Sequence, residues 1–478
     1  MQKALGSLFE GHFGEPVRSV VTLKGDGSCR QLFRLKGDSR TAIGAIGPDH
    51  KENRAFLEFS RHFRLCGLPV PEIFAEDPEK GLYLEEDLGD TTLFDFISAH
   101  RTREDFPKEV VENYRRVIRT LPSFQVEGGR TLEYRFCYPR ACFDKQSMKW
   151  DLNYFKYYFL RLAQIPFDEQ ALEDDFEHLA EFLLGAARNY FLYRDFQSRN
   201  VMLRNGEPWF IDYQGGRRGA LQYDVASMLF DAKADIPFPV RDLLLDEYLA
   251  ALAKLIPVRR AEFMRHYHGY VYIRIVQALG SYGLRGFYER KTHFLQSIPY
   301  AIRNLEHLMR TAELPVELPA LMKVFQHMVG SSYLRQFGGA ELKLTVRVLS
   351  FSYRRGIPAD ETGHGGGFVF DCRALPNPGK EERFARLTGR DIEVAAFLES
   401  SSEVRRFLEH VFLLVEQSTE SYRSRNFTDL MVAFGCTGGQ HRSVYCAEML
   451  ARRLREQGVQ VELCHAELSA GSNRESTP

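Results

Sequence analysis

Apolar and polar residues alternate in short runs near the start of the chain and settle into helical spacing further on. Val17 to Leu23 and Gln31 to Leu35 read as strands, because a period of two sends one set of side chains inward. Lys24-Gly25-Asp26-Gly27-Ser28 lies between them as a turn, and Thr41 to Gly47 reads as a third strand. Glu52 opens a helix that carries Phe56, Phe59 and Phe63 on one face. From 100 to 190 and from 240 to 330 the pattern is helical and rich in aromatics, with Trp150, Tyr154, Phe155, Tyr157, Tyr158 and Phe159 in one cluster. A stripe of that kind is more often core than a surface on which sugar rings stack. Two further short strands, Val201 to Leu203 and Trp209 to Tyr213, flank Asn205-Gly206, a hairpin signal since both residues tolerate positive φ.

The helical pattern breaks near Gly330-Ser331-Ser332 and Phe337-Gly338-Gly339. Strands then alternate with helices: Leu342 to Ser350, Gly367 to Cys372 and Asp429 to Gly435 as strands, about 391–425 and 443–457 as helices. That order implies a small α/β domain with a parallel or mixed sheet. The expected division is therefore residues 1–329, a linker at 330–341, a second domain at 342–468 and a polar, disordered tail at 469–478.

The hairpin carries the first chemistry. Folding it brings its two ends together, with Asn200 just before the first strand and Asp212 near the end of the second, so that their oxygens converge on one hard cation such as magnesium. Asp195, five residues before Asn200, is placed to accept the proton of an attacking hydroxyl. Gly25, Gly27 and Ser28 form a turn whose backbone N–H groups can approach phosphate.

D-x-x-x-x-N, then I-D-x-Q, then Tyr223-Asp224-Val225-Ala226 resembles the aminoglycoside-phosphotransferase-like kinases, and within them the amino-sugar kinases that act on the anomeric hydroxyl of N-acetylmuramate and N-acetylglucosamine. The resemblance implies a protein-kinase-like bilobal fold, ATP or GTP with Mg2+ as cofactors, Asp195 as catalytic base and Asn200 and Asp212 as metal ligands. Asp224 would be a buried acid tying the following helix to the catalytic loop. Leu84-Glu85-Glu86-Asp87-Leu88-Gly89 resembles the hinge that binds adenine, which makes Glu85 and Asp87 nucleotide-site residues. The chain departs from the pattern twice. Thr41 to Gly47 lacks the lysine that kinases direct at the phosphates, leaving Lys36, Arg40 or Lys51 as neighbouring cations, or magnesium with backbone amides. Glu52 is then either the acid that orients that cation or a solvated residue of a first helical turn. Tyr193 stands where kinases carry a histidine before the aspartate, and Arg199 is either a substrate contact or a solvated arginine.

The second domain centres on Met431 to Ser443, a strand running into a glycine-rich loop that opens a helix. Such a loop, with Thr437, Gly438, Gly439, His441, Arg442 and Ser443, favours a phosphate group. Cys436 and Arg442 also have the C-x-x-x-x-x-R spacing of cysteine phosphatases. Together with Val369 to Arg373, Leu375-Pro376-Asn377-Pro378 and Leu387-Thr388-Gly389, the loop resembles the carboxy-terminal domain of the RapZ family of RNase adapters. In that family the domain binds small RNA and senses an amino-sugar phosphate, which implies a phosphosugar site around Asp371, Arg373, Thr437, Gly438, His441 and Arg442. The adapters' own P-loop domain has no counterpart here, since no G-x-x-x-x-G-K-[ST] occurs.

Composition narrows the partners. Of 478 residues, 63 are Lys or Arg and 64 Asp or Glu, a net charge of −1 that argues against bulk attraction to nucleic acid or membrane. From 342 onward about 18 basic side chains face about 18 acidic ones, so RNA binding is not the favoured expectation for the second domain. No stretch of 18 apolar residues exists, and the amino terminus is broken by charge and glycine too soon for a signal peptide. The eight cysteines show neither C-x-x-C pairs nor zinc spacing, as in reduced cytoplasmic proteins. The expectation is a cytoplasmic sugar kinase, its partners a nucleotide, an amino sugar and a sugar phosphate. The alternative is a kinase-like adapter that binds ligands and RNA or protein without turnover.

Overall fold

A computed structural model describes residues 2–23, 30–101, 106–337, 344–359, 367–424, 427 and 429–469; the glycine turn at Gly25, Gly27 and Ser28 lies outside the described residues. The chain divides into two units, one of Met1–Tyr157, Gln170–Ser281 and Glu313–Leu318, the other of Tyr158–Glu169, Tyr282–Ala312 and Pro319–Pro478.

In the first unit, helix α1 (Gln2–Phe13) packs on a five-stranded antiparallel sheet of β1 (Ser19–Leu23), β2 (Gln31–Lys36), β3 (Thr41–Ile46), β4 (Ile73–Asp77) and β5 (Leu82–Glu86), in the order β1-β2-β3-β5-β4. Strand alternation decides what each face does. Phe33, Leu35, Ala42, Ile46, Leu82 and Leu84 pack with Leu5 and Phe9 of α1 in one apolar layer. Tyr83 and Glu85 alternate with Leu82 and Leu84, so they point to the opposite face, in register with Ala45 and Ile43 of β3. Helix α2 (His50–Leu65) starts where Asp49 accepts the N–H groups of Lys51 and Glu52, and places Phe56 5.3 Å from the Tyr83 ring.

Downstream, β6 (Tyr190–Leu192) pairs with β9 (Arg217–Gly219), and β7 (Val201–Arg204) with β8 (Glu207–Phe210). The turn between β7 and β8 uses Asn205 at φ 53° and Gly206 at φ 78°, as the Asn-Gly pair predicts. The second strand ends at Phe210 and not at Tyr213, because Asp212 takes a left-handed φ of 69° that no strand accommodates. The aromatic cluster divides: Phe155 and Phe159 are buried, while Trp150, Tyr157 and Tyr158 are 46%, 53% and 38% exposed.

The second unit is built on β10 (Thr345–Ser352), β11 (Gly367–Asp371), β12 (Asp429–Cys436) and β13 (Gln460–His465), all parallel, in the order β11-β12-β10-β13. Every residue of β12 is buried, as a central parallel strand covered on both faces requires. The sequence pattern misses β13, whose short alternation Gln460 to His465 has few apolar residues. The helix expected over 391–425 is two, Ile392–Ser400 and Ser402–Ser424, separated by Ser401 in an extended conformation. Helices Ile298–Thr311 and Pro319–Val329 fall in this unit. At the base of the sheet Asp429 pairs with Arg347 at 2.9 Å and with Arg310 at 3.4 Å, fixing β12 against β10.

Gly389 seats the helix that follows the glycine-rich loop. Its N–H donates to Gln440 O at 2.8 Å, and a Cβ would stand 2.2 Å from His441 O and 2.5 Å from Tyr445 N. Gly389→Ala is expected to destabilise the second unit by about 1–3 kcal/mol, seen as a lower urea midpoint of its unfolding transition.

Candidate active site

The loop between β6 and β7 owes its shape to one carboxylate. Asp224, at the start of the helix Gln222–Leu229, is fully buried and accepts the backbone N–H of Tyr193 at 2.9 Å, that of Arg194 at 3.0 Å and the Gln125 amide at 3.0 Å. Burial pushes its pKa up to about 7 against those three donors. Arg194 adopts φ 85° and clasps Asp151 with two bonds of 2.6 and 2.7 Å, while a third reaches Tyr223 OH at 2.7 Å. Tyr193 fills the histidine position as scaffold: its ring is buried and its hydroxyl donates to Ile211 O at 2.6 Å.

The three residues singled out from the hairpin do converge. Asn200 Nδ2 donates to Asp195 O at 2.9 Å and to Asp212 Oδ2 at 3.1 Å. Asp195 lies half-buried beside them, its carboxyl raised above the ordinary range by burial, against the charges of Arg194, Arg274 and Arg217, with Asp212 adding to the rise. The Asn200 amide and the Asp212 carboxylate carry hard oxygens of the kind that suit magnesium, and in this structure the amide presents its N–H to Asp212. Gln214 donates to Asp212 Oδ1 at 2.8 Å and to Glu52 Oε1 at 3.3 Å, yet its own Oε1 is buried without a donor facing it. The donor set and this orphaned oxygen fit a metal-bound ligand.

The cation absent from β3 is supplied from a position that sequence reasoning missed. Arg30, immediately before β2, is only 9% exposed. It donates to Asp212 Oδ1 at 3.0 Å and to Tyr83 OH at 3.1 Å, stands 3.9 Å from Glu52 and lies over the Phe56 ring at 5.6 Å. Its affinity for the proton is raised, since Tyr83, Asp212 and Glu52 outweigh the opposing effect of burial. The other three cations are exposed. Lys36 sits at the far end of β2, six residues and therefore about 20 Å away. Glu52 is thus the acid that orients a cation, and that cation is an arginine fork. The usable signal was position: a basic residue at the strand end next to the glycine turn.

Of the hinge residues, Glu85 shares the face of Tyr83 and is pushed up to about 7 by burial, with Arg30 pulling it down and Asp212 adding to the rise. Asp87 is engaged structurally, by Arg34 at 2.8 Å and by the N–H of Gly89 at 3.1 Å. Arg199 lies over the Phe94 ring at 4.5 Å.

In the second unit, Asp371, Cys436 and Ser352 stand at the carboxyl ends of three adjacent parallel strands, where ligands of open α/β sheets bind. Asp371 and Arg373 form an exposed ion pair at 2.6 Å, and Arg373 lies 4.0 Å over Tyr353. Thr437 and Gly438 are exposed, Gly439 takes φ 69°, and His441 is bonded to Phe384 O at 3.0 Å. The Cys436 sulfur accepts the N–H of Gly439 at 3.2 Å and shares a hydrogen with Ser443 Oγ at 3.1 Å. Burial raises this thiol, but the hydrogen bonds from Ser443 and Gly439 and the charge of Arg442 prevail and hold it below its ordinary value. Arg442 is buried and donates to the carbonyls of Arg373 at 2.8 Å and Leu375 at 3.1 Å. Its guanidinium therefore braces the strand end through Nη1.

Fold and loop together define a kinase-like phosphotransferase followed by a parallel-sheet domain. The chain belongs to the Phosphotransferase enzyme family (APH), whose model matches residues 19–263, and residues 344–469 match the RapZ C-terminal domain. Among curated proteins it is 36% identical over 171 residues to a "Nucleotide-binding protein" of Xanthomonas oryzae pv. oryzae, covering 35% of this chain and 58% of that one. It is 40% identical over 147 residues to another "Nucleotide-binding protein", of Dinoroseobacter shibae, covering 30% and 47%. The chain thus spans about half the length of these relatives. Solved structures similar to it include the choline kinase LicA of Streptococcus pneumoniae (14% identity, 63% of this chain and 98% of that one, TM-score 0.42). A choline/ethanolamine kinase family protein of Mesorhizobium loti is similar too (14% identity, 68% and 98%, TM-score 0.44).

Asp224 also links the site to pH. Its folded-state pKa of about 7 lies above the unfolded value of about 3.9. The folded state therefore holds its proton longer, and this contribution to stability is full below about pH 4 and lost as pH rises through 7. Asp224→Asn is expected to flatten that part of the stability profile, measured by urea unfolding at pH 5 and pH 7.

Proposed function

We propose that the first unit transfers the γ-phosphate of a magnesium-bound nucleotide to a hydroxyl of a small sugar, an amino sugar of the N-acetylmuramate and N-acetylglucosamine class, and that the second unit binds a phosphosugar. The observation that carries this reading is the meeting of Asn200 and Asp212 at 3.1 Å beside Asp195. Asn200 and Asp212 would hold the metal, which when bound neutralises phosphate charge. Asp195 accepts the proton of the attacking hydroxyl, and a carboxyl already raised by burial is a better base than a solvated one. Arg30 turns from Asp212 toward the phosphates, with Glu52 and Tyr83 keeping its fork in the cleft. In this reading Glu85 and Asp87 border the adenine side, and Gly25, Gly27 and Ser28 are assigned to phosphate contact.

A buried arginine in the cleft also answers the feature that favoured an adapter without turnover, the lysine missing from β3. In the second unit the phosphosugar is assigned to the exposed Thr437-Gly438 edge, with Asp371, Arg373 and the loop residues Cys436, Gly439, His441, Arg442 and Ser443 around it.

A screen of sugars with γ-labelled ATP and GTP tests the kinase. Labelled product is expected with at least one hexosamine, and Asp195→Asn should reduce its formation by about 100-fold to 10,000-fold. No labelled product from any sugar would return the protein to the adapter reading. In the same assay Arg30→Met is expected to raise the nucleotide KM and lower kcat by about 10-fold or more, as the loss of a charge-assisted contact implies. For the second unit, glucosamine-6-phosphate is expected to bind in calorimetric titration, and unchanged affinity in Arg373→Ala would remove the site from this loop.

A further inference from the structure

The surroundings of Asp195 hold two buried cations that the proposed reaction does not use. Arg217, on β9, and Arg274, in the helix Arg260–Tyr282, are 7% and 8% exposed. Neither forms an ion pair among the described residues. Arg217 donates Nε to Gly215 O at 3.0 Å, and Arg274 donates Nε to Ser227 Oγ at 2.8 Å and Nη1 to Gln277. Buried guanidinium groups are nearly always matched by an anion, because an unmatched one costs several kcal/mol. Here the match is incomplete. Asp151 is engaged by two bonds from Arg194, and its charge, like that of Asp195, also reaches Arg217, yet among the described residues no carboxylate stands within ion-pair distance of Arg217 or Arg274. Burial, reinforced by the charge of Arg194, lowers Arg217 to about 10, with Asp151, Tyr223 and Asp195 opposing.

The two arginines also neighbour the base, where the acceptor hydroxyl of the proposed reaction would stand. Gly215, to which Arg217 is bonded, is so close to the base that a Cβ on it would stand 3.7 Å from Asp195 Oδ2. Arg274 is fixed to Ser227, one helical turn from Tyr223, whose hydroxyl accepts from Arg194. Asp212 and Arg30, on the nucleotide side, already satisfy each other at 3.0 Å.

We infer that Arg217 and Arg274 form an anion subsite for the acceptor: the hydroxyl compound phosphorylated here carries a carboxylate or phosphate that sits against these two guanidiniums while its hydroxyl faces Asp195. This rests on the kinase reading for the identity of the acceptor, but the subsite itself is a binding site and is tested without turnover. Calorimetric titration of the intact chain, with no nucleotide present, compares N-acetylmuramate, which bears a carboxylate, N-acetylglucosamine 6-phosphate, which bears a phosphate, and neutral N-acetylglucosamine. At least one acid is expected to bind about 10-fold to 100-fold more tightly than the neutral sugar, the range of a charge-assisted hydrogen bond, and which acid does so identifies the group. Arg217→Gln and Arg274→Gln are each expected to shrink that ratio at least tenfold, with a cooperative thermal transition as the check of folding. Arg217→Lys keeps the charge without the fork and is expected to retain part of the preference. Equal binding of all three sugars, or a preference that survives both Gln substitutions, overturns the subsite. An acid preference in binding with no labelled product from any sugar would leave the subsite standing and remove the kinase.

Discussion

The catalytic loop depends on a carboxylate that the reaction never touches. Asp224 is buried without a cation bonded to it, and it stays there because three N–H donors converge on its two oxygens. Two of those donors are successive backbone groups of the loop, so the same bonds that offset the desolvation of Asp224 also fix Tyr193 and Arg194. Fixing them is costly, since Arg194 sits at φ 85° and a left-handed non-glycine residue carries strain of about 1–3 kcal/mol. The clasp on Asp151 and the bond from Asp224 offset it. Asp195, next in the chain, inherits its position from a strained residue held from both sides.

A second left-handed residue completes the site. Asp212 at φ 69° ends the strand that leads to it and turns its carboxylate toward Asn200. Its neighbour Ile211 is pinned through both backbone groups, the N–H to Asn200 O at 3.1 Å and the carbonyl to Tyr193 OH at 2.6 Å. The two distorted residues are therefore coupled through Tyr193, whose N–H donates to Asp224 and whose hydroxyl donates to Ile211 O.

Much of this was legible in the sequence, and for stated reasons. Asn205-Gly206 fixed the hairpin, the hairpin fixed the meeting of Asn200 and Asp212, and the glycine-rich run after β12 marked a strand-loop-helix, because each is a local device with few alternatives. What escaped is what depends on distant partners. Arg30 looks like any arginine beside a turn; only the sheet, which puts Tyr83 and Glu85 on the cleft face of β5 and apolar Ala45 and Ile43 opposite them, shows that the cleft lacks a cation from β3 and receives one from β2. The same limit hid Arg217 and Arg274, which are 57 residues apart in sequence. That neither forms an ion pair among the described residues is a property of packing, and spacing does not encode it.

The loop of the second unit reads differently once its own sulfur is considered. In a glycine-rich loop the inward N–H groups usually await an external anion. Here Gly439 N–H and the Ser443 hydroxyl already point at Cys436, whose thiol they hold below its ordinary pKa, and Arg442 is spent on the carbonyls of Arg373 and Leu375. The thiol thus takes up the donors of Gly439 and Ser443, while Arg442 Nε stays buried without a partner among the described residues. The exposed part of the loop is its rim, at Thr437 and Gly438, next to Arg373, which lies over Tyr353 and is paired with Asp371. A rim site suits reversible binding of a phosphosugar better than in-line attack by sulfur, because the nucleophile would lie beneath the donors that hold its target.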